Sequence, residues 1–162
     1  MDAAVIYYSF QGNSALAAKA LADKLGARLV ELKEPKARSM GPGGFMLAGF
    51  QASFGVKSKL TGQPWQEVSG CGELHLITPI WASKPVPAMN RFLSKCDFSG
   101  KTVSLYAVMA DPSAQAEKAW KVMASQVEKK GGKVKVTYGL VGAGPGKGVK
   151  EELAQKIFEI GR

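Results

Sequence analysis

A run of small and polar residues stands where a short apolar strand gives way to a helix. Residues 3–8 are apolar, aromatic and β-branched, which predicts a strand, and residues 15–25 are rich in Ala, Leu and Lys, which predicts a helix. Between them lies Ser9-Phe10-Gln11-Gly12-Asn13-Ser14. The N–H groups at a helix start lack partners within the helix and carry the positive end of its dipole. The run can therefore hold a phosphate, with serine and amide side chains as further donors and Gly12 allowing a close approach.

An ordinary strand-to-helix turn, with Asn13 or Ser14 as the helix cap, is the alternative interpretation of this run. A second stretch, Thr78-Pro79-Ile80-Trp81-Ala82, follows a predicted third strand at 74–77 and contains the first of three prolines that predict a rigid turn. Trp81 in that turn is either a lid on the core or a flat surface for a planar ligand. A third loop, Met109-Ala110-Asp111, follows the predicted fourth strand.

Strands and helices alternate along the chain. The pattern predicts strands at 3–8, 28–32, 74–77, 102–107 and 133–140, and helices at 13–25, 88–93, 113–130 and 150–160, the last with Leu153, Ala154, Ile157 and Phe158 turned inward. This predicts an α/β fold, a doubly wound five-stranded parallel sheet with strand order 2-1-3-4-5. In such sheets the ligand lies beyond the carboxyl ends of the strands, at the switch in strand order, and the three loops above converge there.

Two glycine-rich segments do not fit the alternation. Residues 36–64 form an insertion between the second and third strands, with a loop at 41–44 and a short amphipathic helix at Phe45–Phe54 whose apolar residues are Phe45, Met46, Leu47, Phe50 and Phe54. The insertion is either a lid or partner surface, or a packed excursion over the sheet edge. Gly142–Gly148 lacks both common nucleotide-loop spacings, so we interpret it as a flexible connection.

Length and composition exclude several classes. The 162 residues predict one domain over 1–162 that is 46% hydrophobic, with no run of about 18 apolar residues and no signal-peptide pattern, so we expect a cytoplasmic protein without a membrane span. Cys71 and Cys96 make neither a disulfide framework nor a metal site, and the lone His75 is interpreted as structural. The net charge of +9 favours acidic or phosphate-bearing partners, but the dispersed basic residues argue against nucleic acid as a partner.

The motifs resemble those of the flavodoxin-like family, in particular short flavodoxin-domain proteins that bind flavin mononucleotide (FMN). Residues 7–14 are similar to the family's strand followed by [ST]-x-T-G-N-[TS], and residues 78–88 to its T-P-[IV]-W-x-x-x-P-x-P-A loop. Residues 97–101, Asp-Phe-Ser-Gly-Lys, look like its D-[FL]-x-G-K entry to strand four. The resemblance covers nearly the whole element order and implies a flavodoxin-like three-layer sandwich.

The resemblance also implies a cofactor site. By it, residues 9–14 would wrap the FMN phosphate, residues 78–82 would line the ribityl chain and the isoalloxazine ring with Trp81 against that ring, and residues 109–111 would lie near its pyrimidine end. The implied cofactor-binding set is Ser9, Phe10, Gln11, Gly12, Asn13, Ser14, Thr78, Pro79, Ile80, Trp81, Ala82, Met109, Ala110 and Asp111. No protein acid or base is required, because the cofactor carries the chemistry.

Three departures from the family pattern leave two functions open. Gln11 stands in place of the usual Thr, the third loop lacks the common glycines or aromatics, and the charge is positive where carrier flavodoxins are acidic. Electron transfer or a small NAD(P)H-dependent flavin oxidoreductase, with a redox partner or a homodimer as its associations, is one hypothesis. The other is a non-enzymatic binding module of the same fold that has lost or weakened flavin binding.

Substitution tests the implied site. Replacing Gly12 by a β-branched residue, or Trp81 by Ala, is expected to weaken FMN binding without unfolding the domain, because the first change blocks the phosphate loop and the second removes the ring contact. Titration with FMN, with circular dichroism as the check on folding, measures both effects. Unchanged affinity in both variants would contradict the assignment.

Overall fold

The computed structural model describes residues 2–111, 116–144 and 146–160. The predicted start of a helix at residue 113 lies outside these residues. The elements follow in the order β1 (Ala3–Tyr7), α1 (Asn13–Leu25), β2 (Arg28–Glu31), α2 (Pro42–Ser53), α3 (Pro64–Glu67), β3 (Glu73–Trp81), β4 (Lys84–Pro85), α4 (Pro87–Lys95), β5 (Thr102–Met109), α5 (Ala116–Lys129), β6 (Lys133–Val141) and α6 (Glu152–Glu159).

Five strands pair in parallel in the order β2-β1-β3-β5-β6, and the two-residue β4 pairs antiparallel with β3 outside that path. Counted without β4, this is the order 2-1-3-4-5, so the predicted topology is confirmed. Ile6 of β1 lies beside Leu76 of β3, which in turn lies beside Leu105 of β5. These central strands are apolar because helices cover both faces of a parallel sheet.

The helices form the two outer layers. On one face α1 and α6 cover the sheet, with Val5, Leu21 and Ile157 in a shared apolar cluster. On the other face α4 and α5 contribute Phe92 and Met123 to a second and larger cluster. Each helix is local in origin: α1 is rich in Ala and Leu and ends at Gly26, whose left-handed φ of 61° lets its N–H reach the carbonyl of Ala22.

The third strand is longer than predicted. Thr78 and Pro79 still pair with β5, and Ile80 and Trp81 pair with β4, so Thr78–Trp81 is strand and the expectation of a rigid proline turn there is wrong. The chain reverses instead at Ala82 and Ser83, both at positive φ (51° and 60°), as in a two-residue hairpin turn. Tertiary pairing with β5 outweighs the local proline signal.

The insertion contains a helix, but its orientation differs from the prediction. α2 buries the small residues Ala48 and Ala52, whereas Met46 and Phe50, expected on the packed face, are exposed. The small side chains let the helix approach β3 and β4 closely, which larger residues would prevent. Among the described residues, no helix is long and apolar enough to cross a bilayer.

The neighbouring residues Ile157 and Phe158 of α6 provide a test of this packing. Both were expected to turn inward, but Ile157 is fully buried and Phe158 is 49% exposed. Ile157→Ala should reduce the free energy of unfolding by about 2–5 kcal/mol, because it leaves a cavity under the helix. Phe158→Ala should reduce it by less than about 1 kcal/mol. Urea unfolding measures both, and equal losses would contradict the observed face of α6.

Candidate functional site

One cavity opens at the carboxyl ends of β1, β3 and β5, where the three predicted loops meet. Its empty volume, counted up to the open mouth, is about 540 Å³. The residues that line it are Ser9, Phe10, Gln11, Asn13, Ser14, Phe45, Pro79, Ile80, Trp81, Val108, Met109, Ala110 and Ala143. The parallel register produces this meeting point, because it places the ends of neighbouring strands at one edge of the sheet.

Ten of the fourteen residues predicted for the site line this cavity, and four do not. Gly12 caps α1 from outside the lining, and Thr78 is buried with its Oγ1 donating to the carbonyl of Pro79 at 2.8 Å. Ala82 lies exposed at the tip of the β3–β4 hairpin, and Asp111 is exposed beyond Ala110. The structure thus brings together the centres of the three predicted stretches and leaves out some of their ends.

At one end of the cavity lies the start of α1. Gly12 is the N-cap, rather than Asn13 or Ser14, and no side chain caps the first turn. The N–H groups of that turn therefore remain available to an anion, beside the hydroxyls of Ser9 and Ser14. Gly12 donates its own N–H to Ser9 Oγ at 3.1 Å, which fixes the shape of the turn.

Gly12 is required by the backbone of this turn. Its φ is +111°, and a Cβ there would lie 2.8 Å from Val149 Cγ2. A β-branched replacement therefore strains the turn by about 1–3 kcal/mol in addition to blocking the cavity edge. Any loss of ligand affinity in such a variant has to be measured against its loss of stability.

The amide side chains of Gln11 and Asn13 bind the glycine-rich loop. Gln11 Nε2 lies 3.0 Å from the carbonyls of Ala143, Gly144 and Gly148, and its Oε1 accepts the N–H of Gly146 at 3.1 Å. This contradicts the expectation of an untethered, flexible connection at 142–148. It also changes the role of the Gln11 amide, whose expected use was as a donor to a phosphate.

Asn13 completes this clamp between the two loops. Its Oδ1 accepts the N–H groups of Ala143 and Lys150 at 3.2 and 2.9 Å, and its Nδ2 donates to the carbonyl of Gly148 at 3.0 Å. Backbone groups of a glycine-rich loop need partners when no helix or strand supplies them, and the two amides provide both donors and acceptors. The glycine-rich loop therefore forms one wall of the cavity, through Ala143.

At the other end of the cavity the lining is aromatic and aliphatic. The ring of Phe10 meets Phe45 at 4.9 Å and Trp81 at 5.3 Å between centroids, both edge to face. Ile80 and Met109 continue the apolar wall. A ligand with a phosphate and a flat ring fits this arrangement, because the polar helix start and the apolar aromatic wall lie at opposite ends of one cleft.

Arg38 holds the insertion against Trp81. Its guanidinium lies 5.4 Å from the centroid of the Trp81 ring and donates to Glu34 at 2.8 and 3.0 Å and to Gln51 of α2 at 2.6 Å. Both partners of the ion pair are only about a tenth exposed (11% and 12%). Tyr8 packs edge-on against Trp81 from the same side, and burial, then the nearby Glu34 carboxylate, raises the pKa of its phenol.

Three lining residues escaped the prediction: Phe45, Val108 and Ala143. Phe45 was placed on a helix of the insertion, but only the tertiary structure shows that this helix turns its first aromatic ring towards Phe10. Val108 precedes the predicted third loop by one residue. Ala143 belongs to the glycine-rich loop, and the unusual pair of amides at positions 11 and 13 was the signal that this loop had long-range partners.

His75 lies away from the cavity. Its Nδ1 is 3.2 Å from Tyr106 Oη within the sheet, and burial lowers the pKa of the imidazole below its usual value, so the ring is neutral at pH 7. A structural role fits this position. Within residues 2–111, 116–144 and 146–160 no three His, Cys, Asp or Glu side chains are grouped to hold a metal ion.

A doubly wound sheet with its cavity at the β1–β3 switch point defines the flavodoxin-like architecture. The structure is similar over 98% of its length to a candidate flavoprotein from Bacteroides uniformis, covering 97% of that chain, with a TM-score of 0.69 at 21% identity. It is also similar to a Lactobacillus acidophilus flavoprotein in complex with FMN, with a TM-score of 0.67 at 12% identity, covering 85% of this chain and 92% of that one. Oxidised flavodoxin 1 from Bacillus cereus matches with a TM-score of 0.63 at 12% identity, over 99% and 95% of the two chains.

The chain therefore has the flavodoxin-like fold, which confirms the resemblance drawn from its motifs at the level of the fold. Neither the protein-family models nor the curated proteins match the sequence. The fold is thus retained at identities too low for sequence comparison to detect.

The amide clamp predicts that Gln11 orders the glycine-rich loop in the absence of any ligand. In Gln11→Ala, the amides of residues 143–150 should exchange hydrogen about tenfold faster, because the loop loses its side-chain partners. Hydrogen–deuterium exchange with mass spectrometry of the ligand-free protein measures this. Gln66→Ala, the same change at an exposed glutamine of α3, serves as the control. Wild-type exchange in Gln11→Ala would contradict the clamp.

Proposed function

We propose that the protein binds FMN in the cavity at the carboxyl edge of the sheet. The observation that carries the proposal is the single cleft with an uncapped helix start at one end and an aromatic wall at the other. The phosphate would lie at the first turn of α1 beside Ser9 and Ser14, and the isoalloxazine ring against Trp81 and Met109. Structural similarity to a flavoprotein in complex with FMN supports this choice of ligand.

The lining of the cavity supports an oxidoreductase role. None of its described residues is Asp, Glu, His, Cys, Lys or Arg, so the cleft offers no side chain suited to general acid–base or nucleophilic work. Bound FMN would itself supply electron or hydride transfer through its ring system. The part of the chain is to hold the phosphate, to orient the ring and to exclude water with Phe10, Phe45 and Trp81.

The positive charge favours a small NAD(P)H-dependent flavin oxidoreductase over a mobile electron carrier. The net charge of +9 attracts phosphate-bearing reductants such as NADH and NADPH, whereas carrier flavodoxins are typically acidic and dock on basic partners. We therefore expect a nicotinamide dinucleotide as the electron donor. A redox partner protein is the alternative route of reduction.

The second candidate is a binding module of the same fold with weak or no flavin affinity. The surroundings of Trp81 favour it, because Phe10, Tyr8 and Arg38 already pack against that ring. A flavin that stacks on Trp81 has to displace at least one of these groups, and the free energy of that displacement is subtracted from its affinity.

A visible absorption spectrum of the purified protein, followed by titration with FMN, separates the two candidates. A yellow protein, or saturable binding in the micromolar range or tighter, supports the flavoprotein, and bleaching by NADH or NADPH supports the reductase. A colourless protein that does not bind FMN supports the binding module.

Two phenylalanines of α2 provide a matched test of the site. Phe45 lines the cavity, whereas Phe50 is 62% exposed on the opposite side of the same helix. Phe45→Ala should weaken FMN binding about tenfold, because the flavin ring would lack an aromatic neighbour and be open to water. Phe50→Ala should bind as the wild type does. Equal affinity of the two variants for FMN would exclude α2 from the site.

A further inference from the structure

The side of α2 that faces away from the cavity carries large apolar side chains in water. Met46 is 77%, Leu47 53%, Phe50 62% and Phe54 72% exposed. We refer to these four residues as the outer α2 face. The rings of Phe50 and Phe54 lie 4.8 Å apart, so the side chains form a continuous apolar surface rather than scattered contacts.

Helical spacing explains why this surface is separate from the cavity. Phe45, Ala48 and Ala52 recur at intervals of three and four residues and form the inner side of α2, towards β3 and Phe10. The outer α2 face lies at positions 46, 47, 50 and 54, on the opposite side of the same helix. α2 is thus apolar on both sides, although only one side has a partner within the described chain.

The charges around the outer α2 face have one sign. No Asp or Glu occurs between Glu34 and Glu67, while Lys36, Arg38, Lys57 and Lys59 lie in that stretch. Of these, Arg38 is paired with Glu34. The helix is therefore followed directly by a positively charged segment without any acidic residue of its own.

This segment joins a basic rim on α4 and after α5. Arg91 donates to the carbonyls of Lys57 and Ser58, which fixes the segment against α4. Lys57 and Lys95 lie close enough to Lys130 to contribute to lowering its pKa, after burial, which is the larger cause. Asp97 is an acidic neighbour of Lys130. The basic rim comprises Lys57, Arg91, Lys95 and Lys130.

We propose that the outer α2 face binds the surface of an anionic lipid bilayer. Phe50, Phe54 and Met46 would enter the boundary between headgroups and acyl chains, and the basic rim would lie at the anionic headgroups. Apolar side chains on a surface helix and nearby lysines act together in this mode of binding, at about 1 kcal/mol for each Lys or Arg near the membrane. This inference does not depend on FMN, because no residue of the outer α2 face lines the cavity.

Charge and shape favour a bilayer over other occupants. A second copy of the chain would bring two positive surfaces together, and like charges oppose that association. The outer α2 face is the convex side of a helix with a flat spread of side chains, and a fluid bilayer can accommodate such a surface without a complementary groove.

Sedimentation with lipid vesicles tests the proposal. The wild-type protein should sediment with phosphatidylcholine vesicles that contain phosphatidylglycerol, should bind pure phosphatidylcholine weakly, and should be released by added salt. The double variant Phe50→Ser, Phe54→Ser should bind at least about tenfold more weakly, because two exposed rings no longer leave water. Lys57→Glu with Lys59→Glu should abolish the preference for phosphatidylglycerol.

The controls make each outcome informative. Phe45→Ser should retain vesicle binding although it alters the cavity, and circular dichroism verifies that all variants fold. No binding of the wild type to anionic vesicles at low salt would overturn the proposal, as would unchanged binding by Phe50→Ser, Phe54→Ser. A dimer in analytical ultracentrifugation that dissociates in that variant, with no vesicle binding, would assign the face to a second copy instead.

Discussion

Parallel pairing of β1 with β3 and of β3 with β5 is the constraint on which the site depends. Because the strands run in one direction, their carboxyl ends share one edge of the sheet, and loops distant in sequence meet there. The start of α1 contributes backbone donors, and the end of β3 contributes Trp81. Helices on both faces keep these strands buried and therefore keep the edge rigid, which a binding site for a flat cofactor requires.

The loop after β1 serves two purposes, and its amides and hydroxyls divide the work. Gln11 and Asn13 bind backbone groups of the glycine-rich loop, while the hydroxyls of Ser9 and Ser14 and the first turn of α1 face the cavity. A glutamine at position 11 reaches farther than a threonine would, so it can span the gap to that loop. The departure from the family motif thus has a structural consequence in this chain.

The insertion connects the cavity to the surface of the molecule. α2 places Phe45 at the cavity and Phe50 in water, and Arg38 ties the helix to Trp81 through Gln51. An event at the outer side of α2 can therefore affect the inner side through one short helix. The packed excursion and the partner surface, which the sequence left as alternatives, are in this structure the two sides of the same element.

Sequence alone determined the α/β class, the strand order and the centres of the three loops, because apolar periodicity and turn residues act over a few neighbouring positions. The tertiary structure decided the rest: the strand character of Thr78–Trp81, the buried face of α2, and the partners of Gln11 and Asn13, which lie 130 to 137 residues away. These features depend on which surfaces meet after folding. Local propensity does not encode that choice, so Phe45 and Ala143 could join the site only once the chain had folded.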